Sequence, residues 1–308
     1  MDIVFMGTPE FAVPCLKRLI SDGHNVKGVF TQPDKPRGRG HKMQFPPVKE
    51  CAVDAGIPVY QPLTMKNGEA LSVLEDLNPE LIIVVAYGKI LPKEILEFPK
   101  FGCINMHASI LPRYRGAAPI QWSVLNGEKL SGVTAMQMDV GLDTGYMLLT
   151  KTVEIGENET AGELHNKLSS LGAEVMSETI DLLLDGKLSP EKQDDAESNY
   201  APMLSKDLCP IDWNESALKV HNKIRGLSPW PVATAKLGDK TIKIHKSVVS
   251  DKHNGQPGEV VVSDKKLVIA CGESTSIEIL VLQAEGKKAM NASDFLRGNH
   301  IEKGTILK

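Results

Sequence analysis

Asn105 and His107 stand two residues apart in the run Gly102-Cys103-Ile104-Asn105-Met106-His107-Ala108. Side chains at that spacing on a strand point to one face, so an amide donor and an ionisable imidazole would project together. Such a pair suits a carbonyl oxygen on which negative charge develops during acyl transfer. A histidine at a strand end is also commonly satisfied by a backbone carbonyl, so the pair alone leaves both roles open. A second segment, Met138-Asp139-Val140-Gly141-Leu142-Asp143-Thr144-Gly145, carries two carboxylates in a glycine-rich turn. A carboxylate brought from there against His107 would orient the ring or take up the proton of an attacking amine. The same segment also reads as a plain Asx-turn loop. Its acids lack the D-x-D-x-D-G spacing and closing Glu of a calcium loop. His107 has no second His or Cys at ligand spacing, so no metal is expected.

The elements that must position these groups alternate between β-branched runs and helical stretches, the pattern of a parallel sheet covered by helices. Strands are predicted at Ile3 to Met6, Val26 to Phe30, Leu81 to Ala86 and Gly102 to Met106. Helices are predicted from Pro9 to about Asp22, Pro47 to Ala55, Glu69 to Leu77 and Thr160 to Leu184. Asn105 and His107 would then lie near the carboxyl end of a parallel strand, where open α/β sheets place their ligands. Gly7 ends the first strand, but Gly-Thr-Pro-Glu-Phe-Ala is not G-x-G-x-x-G, and a nicotinamide site is rejected. Beyond Asp185 the chain turns polar and reads as a linker. A helix at Ser216 to Arg225 and short alternating runs at 233–237, 240–248, 258–263, 267–270 and 277–283 then suggest a small barrel. The expected fold is α/β: a doubly wound, Rossmann-like, mostly parallel sheet in residues 1–189, a linker at 190–204 and an OB-like β-barrel at 205–308.

Composition narrows the function classes. A chain of 308 residues with 42% hydrophobic and 24% charged residues has the profile of an ordinary globular protein, and its length favours two domains. Five dispersed cysteines without a C-x-x-C pair suggest neither a disulfide framework nor a zinc ribbon. The first residues carry no basic, apolar leader, and the longest apolar run, Leu81 to Tyr87, is too short to span a bilayer. A cytoplasmic location without membrane insertion is expected. The net charge of −4 is unevenly spread: residues 205–308 carry 16 Lys and Arg against 12 Asp and Glu, and residues 1–204 carry 19 against 27. Lys35, Arg37, Arg39 and Lys42 concentrate positive charge in a Gly-rich loop suited to a phosphate backbone, or simply exposed.

At the Asn105 and Asp143 segments the chain resembles the folate-dependent formyltransferases, whose core carries Asn-x-His, a Ser-Leu-Leu-Pro-like turn and a downstream Asp-Thr-Gly. The turn here is Ser109-Ile110-Leu111-Pro112. The resemblance extends to Phe5 to Ala12, Thr31 to Pro36, Arg115 to Gln121 (Arg-Gly-Ala-Ala-Pro-Ile-Gln), Met136 to Gly145, Ile211 to Trp213, Pro229 to Pro231 and Gly286 to Met290. It implies Asn105, His107 and Asp143 as the catalytic set. It also implies that Ser109, Ile110, Leu111 and Pro112 line a tetrahydrofolate site, with 10-formyltetrahydrofolate as co-substrate.

The acceptor it favours is the α-amine of methionine on initiator tRNA, bound by a monomer. The basic loop would reach the acceptor end and the barrel would support the tRNA, with Lys206, Lys243, Lys246, Lys287 and Lys288 as candidate phosphate contacts. A small amine acceptor, such as a sugar nucleotide or glycinamide ribonucleotide, stays open as an alternative. So do a formyl-folate hydrolase and a non-catalytic RNA-binding protein. A covalent intermediate at Cys103, in the same strand, is a further alternative, but its place reads as buried packing.

Overall fold

A computed structural model describes residues 1–37, 42–251 and 253–308. The chain forms two compact units, each assembled from separate stretches of sequence. The first comprises Met1–Gly116, Gly132–Val153 and His165–Tyr200; the second comprises Ala117–Ser131, Glu154–Leu164 and Ala201–Lys308.

The first unit is built on a seven-stranded sheet. Its strands are β1 (Asp2–Gly7), β2 (Asn25–Phe30), β3 (Val59–Tyr60), β4 (Leu81–Val85), β5 (Cys103–His107), β6 (Leu130–Gln137) and β7 (Met147–Glu154). They lie side by side in the order β7-β6-β5-β4-β1-β2-β3. The pairings of β3 with β2, β2 with β1, β1 with β4 and β4 with β5 are parallel. The continuous apolar runs of β1 and β4 are buried along their length, as central parallel strands covered on both faces should be. Helices α1 (Val13–Ser21), α2 (Pro47–Asp54), α3 (Glu69–Leu77) and α4 (Ala161–Leu184) follow the predicted positions.

Two features of this sheet position the site. First, β5 pairs with β4 so that Val84 lies beside Asn105, while β6 runs antiparallel to β5 with Met136 opposite Asn105 and Thr134 opposite His107. The loop after β6 therefore begins beside Cys103, whose carbonyl accepts from the Met138 N–H at 2.8 Å. Second, Met106 points to the face opposite Asn105 and His107. There α4 approaches so closely that a Cβ at Gly172 would overlap the Met106 sulfur. That contact backs the strand and leaves its other face for chemistry.

Within the stretch 190–204, expected as a linker, most side chains are exposed and the division between the two units falls between Tyr200 and Ala201. Gln193 is only 5% exposed and Ala201 is fully buried, with a turn of 3-10 helix at Asp195–Glu197 between them. Gln193 Nε2 donates to the Gly145 carbonyl at 2.8 Å, and Asp194 Oδ1 accepts from the Ala196 N–H at 2.9 Å.

The second unit carries an antiparallel sheet of β8 (Ala233–Leu237), β9 (Lys240–Ser250), β10 (Val260–Ser263), β11 (Leu267–Cys271) and β12 (Thr275–Ala284), in the order β8-β9-β12-β11-β10. A short β13 (Met290–Asn291) pairs with β12. The end of the chain bridges both edges, Leu307 to Leu237 and Ile306 to Glu259, which closes the sheet in the manner of an OB-like barrel. Helix α5 (Ala217–Gly226) lays Val220 and Ile224 into the core formed by Ile242, Ile244, Ile269, Ile277 and Leu282, and α6 (Ala292–Gly298) adds Phe295. No helix among the described residues is long and apolar enough to cross a membrane.

Helix α4 starts with a capping box. Thr160 Oγ1 accepts from the Glu163 N–H at 3.2 Å, and Glu163 Oε2 accepts from the Thr160 N–H at 2.8 Å. Thr160→Ala removes the first of these caps and is expected to lower unfolding free energy by about 1 kcal/mol, read as a shifted denaturant midpoint at unchanged slope.

Candidate active site

Alternation along β5 sets Asn105 and His107 on one face, and their surroundings give them different freedoms. His107 is 6% exposed. Its Nε2 lies 2.9 Å from the carbonyl oxygen of Tyr114. A carbonyl only accepts, so Nε2 carries the proton of that hydrogen bond. The other ring nitrogen, Nδ1, faces Asp143 Oδ2 at 3.6 Å, too long for a hydrogen bond and within ion-pair distance when the ring is protonated. Asn105 is half-buried, and no described residue hydrogen-bonds its carboxamide. One side of the imidazole is thus committed, the other is open towards a carboxylate, and an uncommitted amide stands beside it.

The loop after β6 divides its two acids between different tasks. Asp139 Oδ1 accepts from the Gly141 N–H at 3.0 Å and from Thr144 Oγ1 at 2.7 Å, so it organises the turn. Asp143 points inward instead, and its Oδ2 accepts from the Gly116 N–H at 2.8 Å. Gly145 ends the loop where a Cβ would overlap the carbonyl oxygen of Gln137, so the return to β7 requires glycine. Tyr114 and Asp143, the two residues on either side of the imidazole, both adopt left-handed backbone conformations, with φ of 60° and 55°. Non-glycine residues in that region cost about 1 to 3 kcal/mol and cluster where surrounding contacts hold a functional geometry. Here Asn199 Oδ1 accepts from the Tyr114 N–H and Gly116 holds the Asp143 carboxylate.

The Tyr114 carbonyl and the Gly116 amide were missed by motif reading because backbone groups leave no residue-type signal. The turn from Ser109 to Pro112 lies between β5 and these two residues. Ser109 Oγ donates to the Arg113 carbonyl at 2.6 Å, and Thr134 Oγ1 donates to the Ser109 carbonyl at 2.8 Å. Ser109 and Leu111 are buried, while Ile110 and Pro112 are half-buried and keep surface to offer a ligand. Cys103 is fully buried, with its Sγ donating to the Ile95 carbonyl at 3.6 Å. Burial pushes its thiol up to about 12, so the thiolate needed for nucleophilic attack is scarce at neutral pH. Among the described residues no group of three or more His, Cys, Asp or Glu side chains is placed to hold a metal ion.

The basic segment is only partly described. Lys35 and Arg37 belong to a short strand, Lys35–Arg37, paired with Lys42–Gln44, and Arg39 lies outside the described residues. Exposed Lys35 donates to Gln32 Oε1 at 3.2 Å. In the second unit Lys206, Lys243, Lys287 and Lys288 are exposed, and Lys246 pairs with Glu163 at 3.2 Å, which offsets part of its charge. Lys243 stands opposite Gln283, whose amide donates to the Lys287 carbonyl at 2.7 Å, so these two lysines share one end of the sheet.

Comparison with known proteins places these features in a family. Residues 1–180 match the family model described as formyl transferase, and residues 203–300 match that of the formyl transferase C-terminal domain. The chain is 54% identical over 310 residues to a methionyl-tRNA formyltransferase of Caldanaerobacter subterraneus subsp. tengcongensis, and 51% identical over 311 residues to that of Clostridium novyi, each alignment covering 100% of both chains. Among solved structures, the N-formyltransferase of Helicobacter canadensis, in complex with folinic acid and dTDP-3-aminofucose, superposes with a TM-score of 0.71 at 21% identity over 92% of this chain and 98% of its own. HypX of Aquifex aeolicus, in complex with tetrahydrofolic acid, shares the fold at a TM-score of 0.63 and 17% identity, covering 96% of this chain and 46% of its own. Full-length similarity of this strength to the methionyl-tRNA enzymes, together with matches to both domain models, shows that the chain belongs to the formyl transferase family.

Proposed function

We propose that the chain transfers the formyl group of 10-formyltetrahydrofolate to the α-amino group of methionine on initiator tRNA. What supports the chemistry is the convergence of an uncommitted carboxamide, an imidazole and a carboxylate on one strand end. What supports the acceptor is full-length identity above 50% to enzymes named for methionyl-tRNA.

In the proposed reaction the neutral amine attacks the formyl carbon, a C–N bond forms, and the carbonyl electrons move to oxygen. The Asn105 amide and the Nδ1–H of protonated His107 donate to that oxyanion, while Nε2 keeps its bond to the Tyr114 carbonyl and fixes the ring. Asp143 lies beside Nδ1, favours the positive ring as negative charge develops, and takes up the proton the amine loses. Oxygen then reforms the carbonyl, the bond to the folate N10 breaks, and the amine's proton ends on N10. The half-buried Ile110 and Pro112, with the Ser109 and Leu111 turn behind them, line the folate side.

On the acceptor side, Lys35, Arg37, Arg39 and Lys42 approach the acceptor end of the tRNA. Residues 205–308 support its backbone through the exposed lysines, and residues 1–189 carry the chemistry. The reading includes a monomer working in the cytoplasm. A sugar-nucleotide amine, the acceptor class present in the Helicobacter complex, is the second reading; that likeness is at 21% identity, against 54% for the tRNA enzyme.

The deciding assay supplies a labelled formyl donor with methionyl initiator tRNA, methionyl elongator tRNA, a dTDP-aminosugar or glycinamide ribonucleotide. Label is expected in initiator methionyl-tRNA alone, and efficient labelling of a free small amine would overturn the acceptor. Loss of an oxyanion donor in Asn105→Ala is expected to lower kcat by roughly 100-fold to 1000-fold, or about 3 to 4 kcal/mol, with little change in donor binding. Because burial holds the Cys103 thiol high, iodoacetamide at pH 8 should leave Cys103 unmodified in the folded protein. Rapid-quench sampling during turnover should yield no formyl thioester, and a formylated Cys103 would replace direct transfer with a covalent route.

A further inference from the structure

Gln193 lies in the stretch whose composition reads as a linker, yet every hydrogen-bonding direction of its amide that the structure records is used within the first unit. Its Nε2 donates to the Asp143 and Gly145 carbonyls, both at 2.8 Å. Its Oε1 accepts from Arg115 Nε and Nη2 at 3.0 and 2.9 Å. The amide's orientation is forced, because a guanidinium only donates and carbonyls only accept. Arg115 is in turn fixed by Asp195, whose Oδ1 accepts from Nη2 at 2.8 Å. The neighbouring Gly116 N–H holds the Asp143 carboxylate directly. The pair Arg115-Gly116 therefore grips Asp143 twice, once at its side chain and once, through Gln193, at its backbone.

The loop needs such a grip. Its outward residues Val140 and Leu142 are 77% and 58% exposed, so they contribute little packing to hold it. Asp143 itself sits in the left-handed region at φ 55°. We propose that Gln193, oriented by Arg115, is a positioning residue that fixes the Asp143–Gly145 backbone and thereby sets the separation between the Asp143 carboxylate and His107. The inference rests on the catalytic reading of Asp143 given above. It makes Gln193 irreplaceable by its isostere: a Glu would still accept from Arg115, gaining charge there, but would set an oxygen against two carbonyl oxygens.

The test uses the full chain with methionyl initiator tRNA and measures kcat and donor KM for Gln193→Glu, Arg115→Lys, Asp143→Asn and the Gln193→Glu/Asp143→Asn double variant. Gln193→Glu is expected to lose roughly 10-fold to 100-fold in kcat, the range for misplacing a reacting group through its support, with donor KM changed by less than about twofold. Arg115→Lys, which keeps the charge but loses the fork, should lose kcat in the same direction, and it carries the test if the Glu variant does not fold. In the double variant Gln193→Glu should add less than about twofold to the loss from Asp143→Asn, because the two act through one group. Wild-type kcat in Gln193→Glu or in a folded Arg115→Lys, or losses that multiply in the double variant, would overturn the proposal. Wild-type turnover in Asp143→Asn would instead remove the catalytic reading beneath it, so the two failures are distinguishable.

Discussion

The arrangement depends on how one imidazole is held. His107 is fixed at Nε2 by the Tyr114 carbonyl and faced at Nδ1 by the Asp143 carboxylate, which stops short of hydrogen-bonding distance. A ring gripped at both nitrogens would have nothing to offer a substrate, and one gripped at neither would pay rotational freedom at every turnover. One firm bond and one loose contact leave an oriented ring, a donor at Nδ1 once protonated, beside an uncommitted amide. In the proposed reaction this is preorganisation: charge arriving on a carbonyl oxygen finds donors already placed.

The rest of the first unit can be understood as maintaining that hold. Parallel pairing with β4 and antiparallel pairing with β6 lock the register of β5, so Asn105 and His107 cannot rotate to the other face without breaking both ladders. The close approach of α4 at Gly172 backs the strand through Met106. Tyr114 and Asp143 pay for the site in backbone conformation, and each is anchored by a side-chain to backbone hydrogen bond, from Asn199 and to Gly116. Side chains drawn from three stretches of chain distant in sequence thus fix a geometry that none of them encodes alone.

Much of this was legible in the residues. Apolar runs ending at Gly7 and at His107 mark parallel strands, and the period of two alone puts Asn105 and His107 on one face. The strand Leu130–Gln137 escaped notice because Ser131, Gly132 and Thr134 dilute its apolar signal, although it is buried from Ser131 to Met136. Spacing alone did not distinguish Asp139 from Asp143; family resemblance pointed to Asp143, and the hydrogen bonds explain the difference, since Asp139 is consumed by its own turn. Gln193 was hidden for another reason: in a stretch of charged and amide residues, a polar side chain that will be buried looks the same as one that will be solvated. Nor does any residue type announce that a carbonyl at position 114 will meet a ring at position 107.

The most direct measurement is a crystal structure of the chain with a non-transferable analogue of 10-formyltetrahydrofolate. The account predicts the analogue's carbonyl oxygen at about 2.7 to 3.1 Å from both the Asn105 amide nitrogen and His107 Nδ1, with Asp143 within reach of the face from which an amine attacks. A carbonyl oxygen turned away from both donors, with His107 still enclosed between Tyr114 and Asp143, would contradict it.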